Sequence, residues 1–429
     1  MKVRPESVWF IVLLGACTSM PPLGVDMGQP AITPIAKSLG TSPAAVAYAL
    51  SLFMMGYASA PVIFGPLSDR FGRRPILLVG CALFGVSSWG CALAQTMPVF
   101  MFWRLFQGAG AGVGTVLAVS IIRDLFEGAM ARARLSYLVT LGALAPMVAP
   151  TLGVIVLGEG GWRSIYGFLG AVSVCVVAAV ALGLEESAAK EKRQSLSPMQ
   201  LFANYRRALS NRTFVSYALV SVMNFGCLFA YITGSPLLMI NTLGATPRVY
   251  ALLFALISFG FMLGGAVNGR LSMRHVPAAR LLGAGLTLTT TMSVLLLVLS
   301  VTGAARLGTV APLLFLATFG SSFVAPNATV TALHPLPEIA GTASSIMVGV
   351  QWMVGAGAGA LAGLLFDGRT PRGLGMVMSG FALAAMTAYL VFVRRADARE
   401  RETARPGGQA RDAGQGELLE EAAKILEGQ

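Results

Sequence analysis

With 429 residues, 55% of them hydrophobic and 12% charged, and a mean hydropathy of +0.72, the chain is too apolar for a soluble globular protein, which keeps roughly a quarter of its residues charged. The composition is that of a polytopic membrane protein. The formal net charge of +12 is then not a nucleic-acid footprint, and its meaning depends on where the basic residues fall.

The bilayer core is about 30 Å thick and takes about 20 apolar residues per helix. The first such run, 8–36, carries Asp26 and then Gln29. It lacks an A-x-A-like cleavage site and is longer than a signal's apolar core, so it reads as a retained span. The second run, 43–65, carries Tyr57 and leads into "GPLSDRFGRRP", where Gly65, Asp69, Arg70, Gly72, Arg73 and Arg74 crowd charge into an otherwise apolar chain. The third run is 75–95. The fourth, 98–122, carries Arg104 and the glycine-rich Gly108–Gly114. In the fifth, 135–158, Gly142, Pro146 and Pro150 recur every four residues and Gly153 follows, all on one helix face. The sixth is 162–184.

A charged stretch, 185–212, follows without a spanning run. Six more runs come after it: 213–240 with Asn224 and Tyr231, 247–269, 279–302, 308–332, 341–366 with Gln351, and 373–393. These runs are too long, and do not alternate, for strands of an outer-membrane barrel. A faint repeat links the halves: "GPLSDRFGRR" has a counterpart in "GAVNGRLSMR" 200 residues on, with Asp69 replaced by Gly269. The expected organisation is a six-helix half at 1–184, a cytoplasmic central loop at 185–212, a second six-helix half at 213–394, and a polar tail at 395–429. The tail reads as disordered, with a short helix at "GELLEEAAKIL".

If the N-terminus is cytoplasmic, 24 Lys and Arg residues fall on the inner side, among them Arg70, Arg73, Arg74, Lys192 and Arg207. Six fall outside: Lys37, Arg163, Arg248, Arg306, Arg369 and Arg372. That asymmetry predicts both termini in the cytoplasm. Of the charged residues, Asp26 and Arg104 alone lie well inside spans, about 6 Å and about 9 Å outward of their span midpoints at 1.5 Å per residue. Intramembrane charge is costly and marks function by default. The matching depths allow either a structural ion pair or a functional one. Gln29, Tyr57, Asn224, Tyr231 and Gln351 are candidate cavity residues from span depth.

The glycine-rich runs lie within apolar helices, where close helix packing explains them better than dinucleotide binding. The five cysteines all fall in spans and read as small buried residues. No nucleophile–base set and no P-loop stands out, so neither an enzyme nor an ATP-driven pump is indicated. No cofactor is expected.

Several signatures then fall in order on these spans. "GPLSDRFGRRP" resembles the major facilitator signature between spans two and three. "RLFQGAGAG" resembles the fourth-span signature of proton-driven members, and "GALAPMVAPTLG" the fifth-span signature of drug:proton antiporters. "DMGQPAITPIAKSLGTSPAAV", "GWRSIYGFLG", "YALVSVMNFGCLFAYITGSPLL" and "PNATVTALHPLPEIAGTASS" resemble the Bcr/CflA, or bicyclomycin-resistance, drug-efflux family. The family commonly has "DMYLPA" where Gly28 and Gln29 stand here.

The resemblance implies an all-α membrane protein of the major facilitator fold. It would have 12 transmembrane helices in two halves with the substrate site between them, lie in the bacterial inner membrane, and act as a monomer. The function implied is proton-coupled efflux of small amphipathic or cationic compounds, driven by the proton gradient. An importer or exporter of one metabolite, and a non-transporting sensor, stand as alternatives. Asp26 would carry the proton, with Arg104 tuning it. Asp69, accepting from a helix N-terminus or from Arg73 or Arg123, would latch a conformational state, against a plain topology anchor. The Gly142–Gly153 face would seal the halves against proton leak, against ordinary helix packing.

Overall fold

The computed structural model describes residues 4–187 and 198–393. The expected tail and Lys190, Lys192 and Arg193 lie outside the described residues. Among the described residues every regular element is helical, and eleven stretches are long and apolar enough to cross a membrane. Many large apolar side chains, such as Leu93, Leu252 and Val330, face outward. That is the reverse of a soluble surface and suits hydrocarbon.

Helix α1 (Val8–Asp26) starts at Ser7, whose hydroxyl accepts from the Phe10 N–H. It stops four residues before Pro30. A proline has no N–H for the carbonyl four residues back, here that of Asp26. The chain passes through a 3-10 turn, Gln29–Ala31, into α2 (Ile32–Ser38). The expected span 8–36 is thus a broken helix with Asp26 at the break.

Helix α3 (Pro43–Phe71) is capped by Ser42 and runs well past the expected edge at 65. Gly72, at φ 105°, is the only residue between it and α4 (Arg73–Leu93). The expected loop is therefore a one-residue turn between two helices, possible because glycine tolerates positive φ. Helix α5 (Met97–Leu125) follows. Gly108 on α5 sits directly over the Phe53 carbonyl of α3, with no room for a side chain.

The fifth and sixth runs form one long element, α6 (Gly128–Gly183). Its helical dihedrals fail only at Gly160 (φ −147°, ψ 15°) and Gly161 (φ 76°, ψ −172°). That break falls in the gap expected between residues 158 and 162.

After α7 (Pro198–Ser210) come α8 (Arg212–Pro236), α9 (Pro247–Met273), α10 (Ala278–Val301), α11 (Leu307–Leu333), α12 (Ala340–Leu364) and α13 (Arg372–Ala388). The repeat segment Gly265–Arg274 closes α9, whereas its counterpart Gly65–Arg74 runs from the end of α3 through Gly72 into the start of α4. Cys175 is exposed, against the expectation that all five cysteines are buried, because its face of α6 points outward.

Helices α1 and α3–α6 pack on one another, as do α8–α13. Between these groups α3 packs on α12, and α6 on α9. Gly363 meets Ala44, Gly359 meets Ser51 and Gly355 meets Met54, while Gly349 barely reaches the Ala58 carbonyl. Beyond Ala58 the helices part: Val62 and Ile63 are exposed, and Gly65 and Gly341 have open space. The groups are closed at one end, where Asn241 also donates to Thr33 at 3.1 Å. They are open at the end bearing Asp69.

Candidate functional site

Where the groups begin to part lies a cavity of about 310 Å³. Asp26 lines it from the end of α1, Tyr57 from α3, Gly142 and Pro146 from α6, Tyr231 from α8 and Trp352 from α12. Asp26 is 3% exposed, and its Oδ1 has no hydrogen-bond partner. The buried Tyr231 hydroxyl is also unpartnered. The rest of the wall is mostly aromatic and aliphatic, and among the described residues Asp26 is its one charged group. The Tyr57 and Trp352 rings, from opposite groups, are 3.8 Å apart between centroids. Phe254 stacks on Tyr231 at 5.8 Å. The result is an apolar chamber with one acid and flat ring faces, suited to a cation with apolar bulk.

Arg104 does not share this chamber. It lines a second, smaller cavity with Gln29, and it is 3% exposed. Its Nη1 donates to the Gly24 carbonyl at 2.9 Å and to the Gln107 side-chain oxygen. Gln107 donates in turn to Ser88 at 2.8 Å. The guanidinium lies 4.6 Å from the centre of the Phe53 ring and 5.7 Å from that of Tyr166. Its charge is held by the carbonyl end of α1, an amide oxygen and two ring faces. Among the described residues no carboxylate pairs with it, so the ion pair that similar depths allowed does not form. Arg104 grips the backbone two residues from Asp26 and leaves the carboxyl free.

The other depth-based candidates divide. Tyr57 and Tyr231 line the large cavity. Asn224 instead donates to Ser321 Oγ at 2.9 Å, and Gln351 to Ser221 at 2.9 Å, both inside the α8–α13 group. Trp352, one residue from Gln351, was not singled out and is a principal wall residue. On the fifth-span face, Gly142 and Pro146 line the cavity, while Gly153 packs against the Met27 carbonyl beside the α1 break.

At the open end, Asp69 pairs with Arg73, and Arg73 Nε pairs with Asp124 of α5 at 2.9 Å. Of the partners expected for Asp69, Arg73 is the one found and Arg123 is not, and it is Arg73 that reaches α5, through Asp124. Arg73 also donates to Ser68 at 2.6 Å. Glu186, just after α6, accepts from the Arg73 N–H at 2.8 Å and the Arg74 N–H at 3.3 Å, capping α4. Arg74 donates to the Ala181 carbonyl at 2.6 Å. The cluster ties α3, α4, α5 and α6 to one another.

A broken first helix with an acid at the break, two packed helical groups and a chamber between them are the arrangement of a membrane transporter. The chain belongs to the Major Facilitator Superfamily, whose sequence profile matches residues 14–360. It is 27% identical over 398 residues to the "Bicyclomycin resistance protein homolog" of Haemophilus influenzae, covering 92% of this chain and 98% of that protein. It is 33% identical over 297 residues to "Uncharacterized MFS-type transporter YdgK" of Bacillus subtilis, covering 67% of this chain and 74% of that one. The fold is similar to the crystal structure of the POT family transporter PepTSo, with a TM-score of 0.72, 17% identity and coverage of 92% and 99%. The bicyclomycin-resistance resemblance read from the motifs is borne out.

Proposed function

We propose that the chain exports small amphipathic or cationic compounds in exchange for protons, by alternating access across the bacterial inner membrane. One observation carries the reading: Asp26 is buried, lacks a cationic partner, and faces an aromatic chamber at the junction of the two helical groups. An unpaired buried carboxylate is costly as an anion. It is therefore relieved either by a proton or by a bound cation. Those two occupants exclude each other, which is what exchange requires. Arg104 keeps the α1 end in place. The name of the Haemophilus influenzae relative supports a drug-like substrate.

The break at Gly160–Gly161 supports two crossings in α6, hence twelve in all, arranged six and six about the 185–212 segment with both termini cytoplasmic. In this reading the Asp69 end is cytoplasmic and the structure is inward-open. Asp69 and Arg73 would re-engage with the other half when that end closes. The proton gradient is the energy source, no cofactor takes part, and a monomer suffices because the chamber lies within one chain.

The test is substrate-driven proton release from proteoliposomes. Asp26→Asn should abolish it and Asp26→Glu should retain part of it. Wild-type exchange by Asp26→Asn would move the proton carrier elsewhere.

A further inference from the structure

The smaller cavity, of about 20 Å³, lies at the closed end of the molecule among the Gln29–Ala31 turn, α3, α5 and α8. Its wall joins the two helical groups: Gln29, Arg104 and Tyr166 come from the first, Thr233 from the second. Gln29 is 4% exposed and Thr233 1% exposed. Neither Gln29 Nε2 nor Thr233 Oγ1 has a hydrogen-bond partner in the protein. Two orphaned polar groups on residues that line one small space are expensive unless something bridges them. The space is of the size one water needs, roughly 10–15 Å³ by this measure, and a buried water takes about three hydrogen bonds. An organic ligand or a hydrated ion is too large.

We propose that this cavity is a site for a single ordered water that bridges Gln29 and Thr233, and so locks the two halves together at the closed end. The bridge forms only when α8 packs against the Gln29–Ala31 turn, and opening that end separates its two sides. It acts on the conformational equilibrium and not on the Asp26 chamber, which the cavity adjoins through Val25. Thr233 also lies under Gly359 of α12, next to the likewise unpartnered Ser51. Small movements of α12 are therefore felt at the bridge.

The inference depends neither on the direction of transport nor on the proton carrier. Spin labels at Lys37 and Arg369, both exposed at the closed end, report its opening by pulsed electron-spin distance measurement in lipid. Thr233→Val or Gln29→Leu leaves one orphaned partner and should raise the open-to-closed ratio about fivefold to tenfold. The double variant removes both partners and should shift the ratio no further than either single change, since its closed end is uniformly apolar. Additive shifts, or none, would overturn the proposal. A density map resolving ordered solvent should show a peak within hydrogen-bond reach of both side chains. A map without that peak would assign any coupling to direct contact and also reject the water.

Discussion

The side chains that matter are set by rotation about a helix axis as much as by depth. Gln351 and Trp352 are neighbours in sequence, yet a step of one residue turns the helix by about 100°. That sends Gln351 to Ser221 and Trp352 to the cavity and the Tyr57 ring. Trp352→Ala is expected to weaken binding of an aromatic cation such as ethidium about tenfold or more. Gln351→Ala should stay within about twofold, as read by equilibrium fluorescence titration of purified protein. Equal losses would put the binding surface elsewhere. Arg104→Lys keeps the charge and loses the planar guanidinium that lies over the Phe53 and Tyr166 rings while its Nη1 donates to Gly24 and Gln107. It should destabilise the protein by about 2 kcal/mol, seen as a lower thermal midpoint in detergent. At this scale the sequence revealed Asp26 and Arg104 through their cost in a membrane. It did not reveal that each faces a different cavity, because a span boundary gives depth and no azimuth.

At the scale of elements, the one-residue turn between α3 and α4 is the most constrained point. Gly72 holds φ 105° while Ser68, Asp69 and Arg73 close around it. Gly72→Ala forces an L-residue into that region and should cost about 1–2 kcal/mol, measured as reduced yield and a lower thermal midpoint. Asp69→Asn is different in kind. It removes a half-exposed ion pair and leaves the Asp124 and Glu186 contacts in place. The protein should stay in the membrane, with turnover slowed strongly and substrate affinity changed much less. Unimpaired transport kinetics would reduce the stretch to an orientation signal. The "GPLSDRFGRRP" pattern made this turn conspicuous. It did not disclose that Glu186, more than a hundred residues away, caps the helix that follows. The α1 break was legible in principle from Pro30. An apolar run of sufficient length hides it, since hydropathy counts residues and is blind to a missing N–H.

For the whole molecule, the distribution of Lys and Arg and the two ends of the bundle make one joint claim. The closed end carries Lys37 and Arg369 and the Asn241–Thr33 contact, and the open end carries Arg73, Arg74 and Arg207. Basic residues crowd the open end, and positive charge is retained on the cytoplasmic side during insertion. The open end should therefore face the cytoplasm. Single cysteines replacing Lys37 and Arg306, introduced in a background without the native cysteines, should react with an impermeant maleimide added to intact cells. Cysteines replacing Arg74 and Arg207 should react only after the membrane is permeabilised. Asp26, at the level of the chamber, adds a conformational readout. A cysteine at position 26 should be reached from inside-out vesicles in the state seen here, and protected when a tight substrate fills the chamber. Labelling of the Arg74 and Arg207 positions from outside would invert the orientation and, with it, the direction of transport.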